Sequence, residues 1–354
     1  MIDTIYVENA VARHERAENM IRRFPDAAYV TCDRYQEVFN PKAQNFRLQK
    51  KKPALILAKK FGASVLPAPD GYGIGGEHNY YFSHMLNCIY DCRYCFLQGM
   101  YRSAHYVVFV NYEHFFDGMA EKLKIHAGED VWFFSGYDCD SLALEPVTGF
   151  VRELLVWLRR HPRAQVELRT KSTQIRSLFE SAPLPNVVIA YSLTPDLTAA
   201  TLEHKAPSVQ KRLAALTELA QRGWNVGLRF DPVLYELHYQ DLYQRLFEDV
   251  FDRVPENRIH SVTLGPFRMP KPYFRNVTRL YPDEALFAGP FESRDKMISY
   301  SMDCEQQMMS FCYDQLLRYT AADKIYTCSP SSRQGVTNSQ GQSDPIGRSD
   351  DRSI

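Results

Sequence analysis

The sequence of 354 residues lacks the features that mark membrane or secreted proteins. No run approaches the roughly 20 apolar residues that a membrane-spanning helix requires. The first residues, MIDTIYVENAVARHERAENM, contain no apolar segment of the kind found in signal peptides. The formal net charge is zero, with 42 basic and 42 acidic side chains, so overall charge gives no argument for nucleic-acid binding. We therefore expect a soluble cytoplasmic protein that does not bind membranes.

Cysteine is too scarce for a disulfide scaffold. The chain has eight cysteines, which favours a reducing compartment. Three of them, Cys88, Cys92 and Cys95, fall within the stretch HMLNCIYDCRYCFLQG at residues 84–99, in the spacing C-x3-C-x2-C. Three thiolates on one short loop can hold three irons of a [4Fe–4S] cube and leave the fourth iron without a protein ligand. An open iron of this kind is able to bind a substrate or cofactor.

The alternative interpretations of this stretch are a zinc site and three incidental core cysteines. His84 lies four residues before Cys88, so a Cys3His site is conceivable. Zinc fingers usually show two paired ligand clusters, and no second cluster lies nearby in the sequence. The spacing, with aromatic Tyr94 before the third cysteine, instead resembles that of radical S-adenosylmethionine enzymes. This resemblance implies that the open iron binds S-adenosylmethionine and that Tyr94 lies against its adenine, with plain packing as the alternative for Tyr94.

Strand-like apolar runs alternate with helical stretches along the middle of the chain. The runs are HYVVFV, VWFFS, VELRT, NVVIAYSL, NVGLRFD and HSVTLG. About six such units predict an α/β fold, a partial (β/α)6 TIM-like barrel of the radical SAM type. We expect residues 1–80 to form an N-terminal extension packed on the barrel and 81–266 to form the barrel. A C-terminal extension at 267–328, a candidate substrate- or DNA-binding region, and a disordered tail at 329–354 are expected to follow.

A basic segment, RLQKKKPALILAKK, precedes the cysteines. Its apolar centre predicts a buried strand. Its cations predict a solvated face, with a phosphate-binding strip as the alternative. They are Lys50, Lys51, Lys52, Lys59 and Lys60.

Several motifs together resemble the spore photoproduct lyase family. They are the basic segment, the cysteine loop running into CFLQGMY, FSGYDCDSLALEPVTGF, LRTKS, AYSLTPD and LEHKAPSVQKRL, in this order within roughly residues 4–328. In that family a 5′-deoxyadenosyl radical abstracts hydrogen from C6 of the thymine dimer 5-thyminyl-5,6-dihydrothymine, and the methylene bridge between the bases then breaks. The resemblance implies a radical SAM lyase that uses a [4Fe–4S] cluster, S-adenosylmethionine, lesion-containing DNA and an electron donor such as flavodoxin or ferredoxin.

The resemblance also implies roles for single residues. The three cysteines match the cluster ligands, while Asp140, Lys171 and Ser192 match residues at or near S-adenosylmethionine. Independently of the resemblance, Ser135, Lys171, Ser192 and Asp231 fall at or just past the ends of predicted strands, which is the working edge of a barrel. A cation suits the carboxylate of the cofactor, and an acid suits its ribose hydroxyls or ammonium. The alternative for each is a salt-bridged residue at the barrel edge.

Two positions depart from the family pattern. The hydrogen-donating cysteine of the family aligns with Tyr137, and the relay tyrosine after the third cluster cysteine is Phe96. The nearest thiol is Cys139. Because residues two apart share a strand face, Cys139 is a candidate donor from a shifted position, as is Tyr137 itself. The alternative for Cys139 is a small buried core residue.

Three functions therefore remain open. The first is a lyase for a thymine-dimer lesion in DNA, and the second is a radical enzyme of the same family acting on another nucleic acid or a small molecule. The third is a zinc-stabilised binding module. A DNA enzyme needs a pocket for an extruded base. Candidate phosphate contacts and an aromatic wedge are Arg268, Lys271, Tyr273, Phe274 and Arg275, with a proline-rich surface loop as the alternative.

Overall fold

A computed structural model describes residues 2–39, 41–42, 44–69 and 71–328. The tail predicted at 329–354 lies outside the described residues. The strands are β1 (Thr4–Glu8), β2 (Ala28–Cys32), β3 (Leu55–Ala58), β4 (Val65–Pro67), β5 (His78–Phe82), β6 (Met85–Leu86), β7 (Asp91–Cys92), β8 (Tyr106–Phe109), β9 (Val131–Ser135), β10 (Ala164–Thr170), β11 (Val187–Ser192), β12 (Glu203–His204), β13 (Asn225–Val233), β14 (Ile259–Pro266), β15 (Arg268–Pro270), β16 (Phe291–Arg294), β17 (Met297–Tyr300) and β18 (Ile325–Thr327).

The α-helices of the described residues are α1 (Glu15–Ile21), α2 (Gln36–Phe39), α3 (Phe46–Lys51), α4 (Leu97–Met100), α5 (Tyr112–Ile125), α6 (Glu145–Thr148), α7 (Phe150–Leu158), α8 (Arg176–Phe179), α9 (Asp196–Leu202), α10 (Val209–Gln221), α11 (Tyr239–Arg253), α12 (Lys271–Leu280) and α13 (Met302–Leu316). Short 3-10 turns occur at Asn9–Val11, Glu256–Arg258, Ala285–Ala288 and Ala322–Lys324. Within the described part of the chain, no helix has the length and apolar character needed to cross a bilayer.

The largest sheet is the wall of the barrel. Its strand order is β18-β14-β13-β11-β10-β9-β5-β4, and all neighbours from β5 to β18 are parallel. Its central strands are buried over most of their length, as strands covered on both faces are, and every residue of β9 and β11 is buried. The predicted partial barrel of alternating strands and helices is confirmed.

The first strand of this wall is not the one that the sequence predicts. The run HYVVFV forms β8, which belongs to a separate five-stranded sheet of order β2-β1-β3-β8-β6. The wall instead begins with β5, HNYYF, of which only Phe82 is buried. A half-exposed strand with polar residues gives no apolar run, whereas the four buried residues of β8 do. Five of the six predicted runs therefore join the wall, which has seven parallel strands because β5 and β18 also belong to it.

The two sheets meet at the segment that leads into the cysteine loop. β5 pairs with β9 of the barrel, and β6, two residues further on, pairs antiparallel with β8 of the smaller sheet. The loop thus starts at the junction of the two sheets. β7, inside the loop, pairs antiparallel with β12, which follows α9 of the barrel.

The centre of the barrel contains a buried ion pair. Arg229 donates to Glu167 through Nη2 at 2.8 Å and Nε at 3.1 Å, and also to the carbonyl and hydroxyl oxygens of Ser261 at 2.9 Å each. Both charged side chains are almost fully buried. Such a pair needs these additional hydrogen bonds because removal of two charges from water is unfavourable.

The C-terminal segment closes over the end of the cysteine loop. α12 packs against α4, and Asn276 Nδ2 donates to the carbonyl oxygen of Gly99 at 2.9 Å. A Cβ atom on Gly99 would lie 2.3 Å from the carbonyl oxygen of Tyr273. The expected alternative of a proline-rich surface loop is wrong here, since residues 268–280 form β15 and α12. Pro272 sits in the first turn of α12, where its missing N–H costs no hydrogen bond.

We expect Gly99→Ala to destabilise the protein by about 1–3 kcal/mol, because the added methyl group forces α12 away from α4. Urea unfolding followed by circular dichroism measures the change. Gly289→Ala is the matched control. Its added Cβ would lie 3.3 Å from the nearest atom, the carbonyl oxygen of Leu286, so the loss of unfolding free energy should be smaller. Equal losses in the two variants would contradict the close packing of α4 and α12.

Candidate active site

The backbone of the cysteine loop is held in place by protein hydrogen bonds alone. Asn87, whose φ of 67° lies in the left-handed region, donates from Nδ2 to the carbonyl oxygens of Ser103 and His105 at 2.7 and 2.8 Å. In the middle of the loop, Arg93 N donates to the carbonyl oxygen of Leu202 at 2.8 Å, beside the β7–β12 pairing. These hydrogen bonds fix the backbone of the loop that carries the three cysteines.

The three thiols suit a cluster better than a single ion. Burial raises the pKa of Cys88 to about 12 and raises those of Cys92 and Cys95 as well. Buried thiols of this kind become good ligands once a metal supplies positive charge. The three sulfur atoms do not all lie within 4.8 Å of one another, as the ligands of one zinc ion would. A cube, whose cysteines bind different irons, fits this wider spacing.

His84 takes no part in a compact metal site with these cysteines. Its ring is buried, stacks on Phe150 at 4.0 Å between centroids, and has a pKa lowered to about 3 by burial. Among the described residues, the group of three ligand side chains that does lie within 4.8 Å is Glu77, His78 and Glu129, which is exposed or half-buried. The geometry gives no support to the zinc alternative.

The carboxylate of Glu203 connects the cysteine loop to the barrel. It accepts hydrogen bonds from Tyr94 Oη, from Thr194 Oγ1 at 3.0 Å and from Arg212, and Lys171 Nζ lies 3.9 Å away. The same ammonium lies 5.3 Å from the ring centroid of Tyr94. Because Glu203 and Arg212 are both buried, this ion pair is shielded from solvent. Whether the ring of Tyr94 also contacts an adenine stays a prediction.

Glu203 was not predicted from the sequence as a functional residue. It lies in the motif LEHKAPSVQKRL, which carries part of the family resemblance, but its partners are spread from residue 94 to residue 212. Only the antiparallel pairing of β7 with β12, in which Glu203 is opposite Cys92, brings it to the cysteine loop. The motif was the one signal in the sequence that could have pointed to Glu203, but it does not reveal the contact of Glu203 with the cysteine loop.

Asp140 joins the loop after β9 to the end of β10. One carboxylate oxygen accepts from Thr170 Oγ1 at 2.7 Å and from the backbone of Leu142 and Ala143 at 3.0 and 2.9 Å. The other accepts from the backbone N–H of Lys171 at 2.7 Å. Burial raises its pKa, and these hydrogen bonds act in the opposite direction. Asp140 thus holds Lys171 in position, while its own contact with a cofactor stays a prediction.

Two serine hydroxyls lie at the ends of strands on either side of β10, and both positions were predicted to be strand ends. Ser135 is the last residue of β9 and accepts from Ser141 Oγ at 3.1 Å. Ser192 is the last residue of β11 and accepts from Arg169 Nε at 3.3 Å. β10 lies between these strands, and Lys171 follows it directly, so the three predicted residues share one edge of the barrel.

Asp231 lies on β13 near the same edge, between two arginines. Arg268 Nη1 is 2.7 Å from one carboxylate oxygen and Arg169 Nη2 is 3.3 Å from the other. Burial acts to raise the pKa of Asp231, but Arg268 and Arg169 hold it well below its usual range. Arg268, which was predicted as a phosphate contact, is therefore ion-paired with Asp231.

For Phe274, the predicted role as an aromatic wedge is not supported either. Phe274 packs in a cluster with Phe267, Phe287 and Phe291, at 5.3 to 6.3 Å between ring centroids. A ring held on several sides by its own protein is not placed to enter a base stack. Lys271 and Arg275 remain exposed on α12.

Tyr137 and Cys139 lie in the loop after β9. The chain turns at Gly136, whose φ is 92°, so the expectation that both residues share a strand face is wrong. The ring of Tyr137 lies 5.6 Å from Phe96 of the cysteine loop and 4.6 Å from Tyr81. Burial raises the pKa of Tyr137 to about 12, and raises that of the buried Cys139 thiol well above its ordinary value.

Comparison with known proteins shows which family this chain belongs to. A family model described as spore photoproduct lyase matches residues 77–304, which is more than half of the chain. The chain belongs to the spore photoproduct lyase family. Spore photoproduct lyase of Bacillus subtilis is 22% identical over 218 residues, which cover 61% of this chain and 64% of that protein. The Clostridium acetobutylicum enzyme is 18% identical, over 51% and 54% of the two chains.

Solved structures confirm the fold of the family. A mutant spore photoproduct lyase superposes with a TM-score of 0.80 at 15% identity, covering 92% of this chain and 98% of the other. A second mutant, solved with bound AdoMet and dinucleoside spore photoproduct, gives 0.79 with the same identity and coverage. The family and the barrel predicted from the sequence are thus confirmed. The sequence matches span less than two thirds of the length of the curated relatives.

We expect Glu203→Ala to lower the free energy of unfolding of the metal-free protein by about 3–5 kcal/mol, because Arg212 is left buried without its partner. Less iron should also be retained after anaerobic reconstitution, since Tyr94 and Lys171 lose their common anchor. Glu218→Ala is the matched control: it removes an exposed carboxylate from α10 that pairs with Arg222. A Glu203 variant with the stability and iron content of this control would contradict the assignment.

Proposed function

We propose that this protein is a radical S-adenosylmethionine lyase that cleaves a thymine-dimer lesion of the spore photoproduct type in DNA. The observation that carries the proposal is the position of the three thiols. Their loop is fixed at the barrel edge where Ser135, Lys171 and Ser192 end three adjacent strands. Family membership, and a similar structure that holds AdoMet with the dinucleoside lesion, support the same function.

Cys88, Cys92 and Cys95 would hold a [4Fe–4S] cluster. With S-adenosylmethionine bound, the cluster supplies a 5′-deoxyadenosyl radical able to abstract hydrogen from the lesion. Lys171 supplies positive charge for a cofactor carboxylate, and Asp140 fixes the backbone from which its side chain extends. The hydroxyls of Ser135 and Ser192 add hydrogen-bonding groups on the neighbouring strands. The surrounding burial keeps water away from the reacting atoms.

Return of hydrogen to the product falls to Cys139 or Tyr137. A hydrogen-atom donor must keep its hydrogen at neutral pH, and burial raises the pKa values of both residues in the direction that this requires. Tyr137 contacts the cysteine loop through Phe96, and Cys139 is buried two residues further along the same loop as Tyr137. The two residues thus offer an O–H and an S–H donor in one loop.

The proposal includes two partners and a compartment. Lesion-containing DNA would be contacted by exposed cations such as Lys271 and Arg275, and an electron carrier such as flavodoxin or ferredoxin would reduce the cluster. A reduced, oxygen-sensitive cluster requires a reducing compartment, which agrees with a cytoplasmic location.

We expect the reconstituted protein to convert a dinucleotide spore photoproduct to thymine dinucleotide over several turnovers, with S-adenosylmethionine and dithionite under anaerobic conditions. Chromatography quantifies the repaired dinucleotide and 5′-deoxyadenosine together. Cys88→Ala, which lacks one cluster ligand, should form neither product. Deoxyadenosine without repair would assign the protein to another substrate, which the altered residues Phe96 and Tyr137 would then explain. If iron-loaded protein forms neither of the two products, the radical function is refuted.

Separate variants identify the hydrogen donor. If Cys139 is the donor, Cys139→Ala should lower repair strongly and release by-products of the unquenched substrate radical, because no hydrogen atom is returned. Tyr137→Phe should then keep most of the activity. The reverse pattern would assign Tyr137. Deoxyadenosine formation in both variants shows that the radical is still generated. Unchanged repair in both variants would exclude both residues.

A further inference from the structure

A basic surface lies on α3 and on the turn after β12, and the proposed chemistry does not use it. It consists of the exposed side chains of Arg47, Lys51 and Lys205 around Leu48, which is 60% exposed. We call it the α3 surface. None of its three cations has an ion-pair partner among the residues that the structure describes. Three exposed cations without ion-pair partners in the described part of the chain make this surface complementary in charge to an acidic protein.

The α3 surface adjoins the outside of the cysteine loop. Lys50, on the same helix, has its ammonium 3.7 Å from the carboxylate of Asp91 in that loop. Lys205 Nζ donates to the carbonyl oxygen of Lys50 at 3.1 Å, which ties the turn after β12 to α3. The backbone of Lys205 is left-handed, with a φ of 65°, a conformation that few residues other than glycine adopt. The surface therefore lies within one layer of side chains of the cluster ligands.

The α3 surface and the two lysines after β3 lie at opposite ends of that strand. α3 precedes β3, whereas Lys59 and Lys60 follow it, so the basic segment is divided between the two ends of the strand. Four residues of strand separate these ends by roughly 13 Å. The charge of Lys60 acts on Asp138, which lies between Tyr137 and Cys139. Lys60 is thus the cation of the basic segment that acts on the loop of the candidate hydrogen donors, and α3 lies at the other end of β3.

We propose that the α3 surface is the docking site for an acidic one-electron carrier of the flavodoxin or ferredoxin type, which reduces the cluster through the outer face of the loop. The carrier loses one electron and the cluster gains one, with no bond made or broken. Opposite charges raise the association rate and orient the carrier with its redox centre toward the loop. This inference rests on the proposed function and adds to it the place where the electron enters.

The test measures how fast two different reductants reduce the wild type and a charge-reversed variant of the α3 surface. The variant is Arg47→Glu/Lys51→Glu/Lys205→Glu, which leaves Lys50 and its contact with Asp91 unchanged. The control is Lys124→Glu/Arg159→Glu/Arg160→Glu, an equal charge change on exposed residues of α5 and at the end of α7. Stopped-flow absorbance follows cluster reduction by flavodoxin hydroquinone or by dithionite. Calorimetry measures flavodoxin binding to the metal-free protein at low and high salt.

We expect the α3 variant to be reduced by flavodoxin at least tenfold more slowly than the wild type, with a matching loss of binding, since steering by charge contributes about 10–10³ to such rates. Its reduction by dithionite, its deoxyadenosine yield with dithionite and its duplex DNA binding should equal those of the wild type. Unchanged flavodoxin kinetics, or the same loss in the control variant, would overturn the inference. A selective loss of DNA binding would assign the surface to DNA instead. If the wild type forms no deoxyadenosine with dithionite, the proposed function is refuted, whereas the docking site is judged by the flavodoxin measurements.

Discussion

The whole arrangement depends on one buried carboxylate. Glu203 joins three parts of the chain that are distant in sequence: the cysteine loop through Tyr94, the end of β10 through Lys171, and α10 through Arg212. A buried carboxylate is stable only when its charge is compensated and its oxygen atoms are hydrogen-bonded. That requirement fixes the distance between the cysteine loop and the barrel edge, and hence the room available for a cofactor between them.

The two halves of the site differ in how they are built. Around Lys171, Asp140 and Glu203 accept several hydrogen bonds from the protein, which fix the neighbouring side chains and backbone. Tyr137 instead rests against other rings, without a comparable network in the described residues. The surroundings of Lys171 are therefore held by more hydrogen bonds than those of Tyr137.

The outcomes at single residues show where sequence analysis loses information. Arg268 carried the expected charge for a phosphate, yet Asp231 of the barrel takes it up, because burial of Asp231 requires positive partners. The strand β5 escaped prediction because it is half-exposed at the start of the wall, whereas β8 was assigned to the wrong sheet because it is fully buried. Hydrophobic patterns report burial, but they do not report which sheet a strand joins.

By itself the sequence predicted the three cysteines as cluster ligands and indicated the family and the alternation of strands and helices, because these depend on local spacing and periodicity. It also placed Ser135, Lys171 and Ser192 at strand ends, since parallel strands bring their carboxyl ends to one edge. Only the tertiary structure decided which charges are neutralised by protein partners and which face solvent. Ion pairing and burial depend on contacts between residues far apart in the chain, and for Glu203 and the α3 surface those contacts arise from the pairing of β7 with β12.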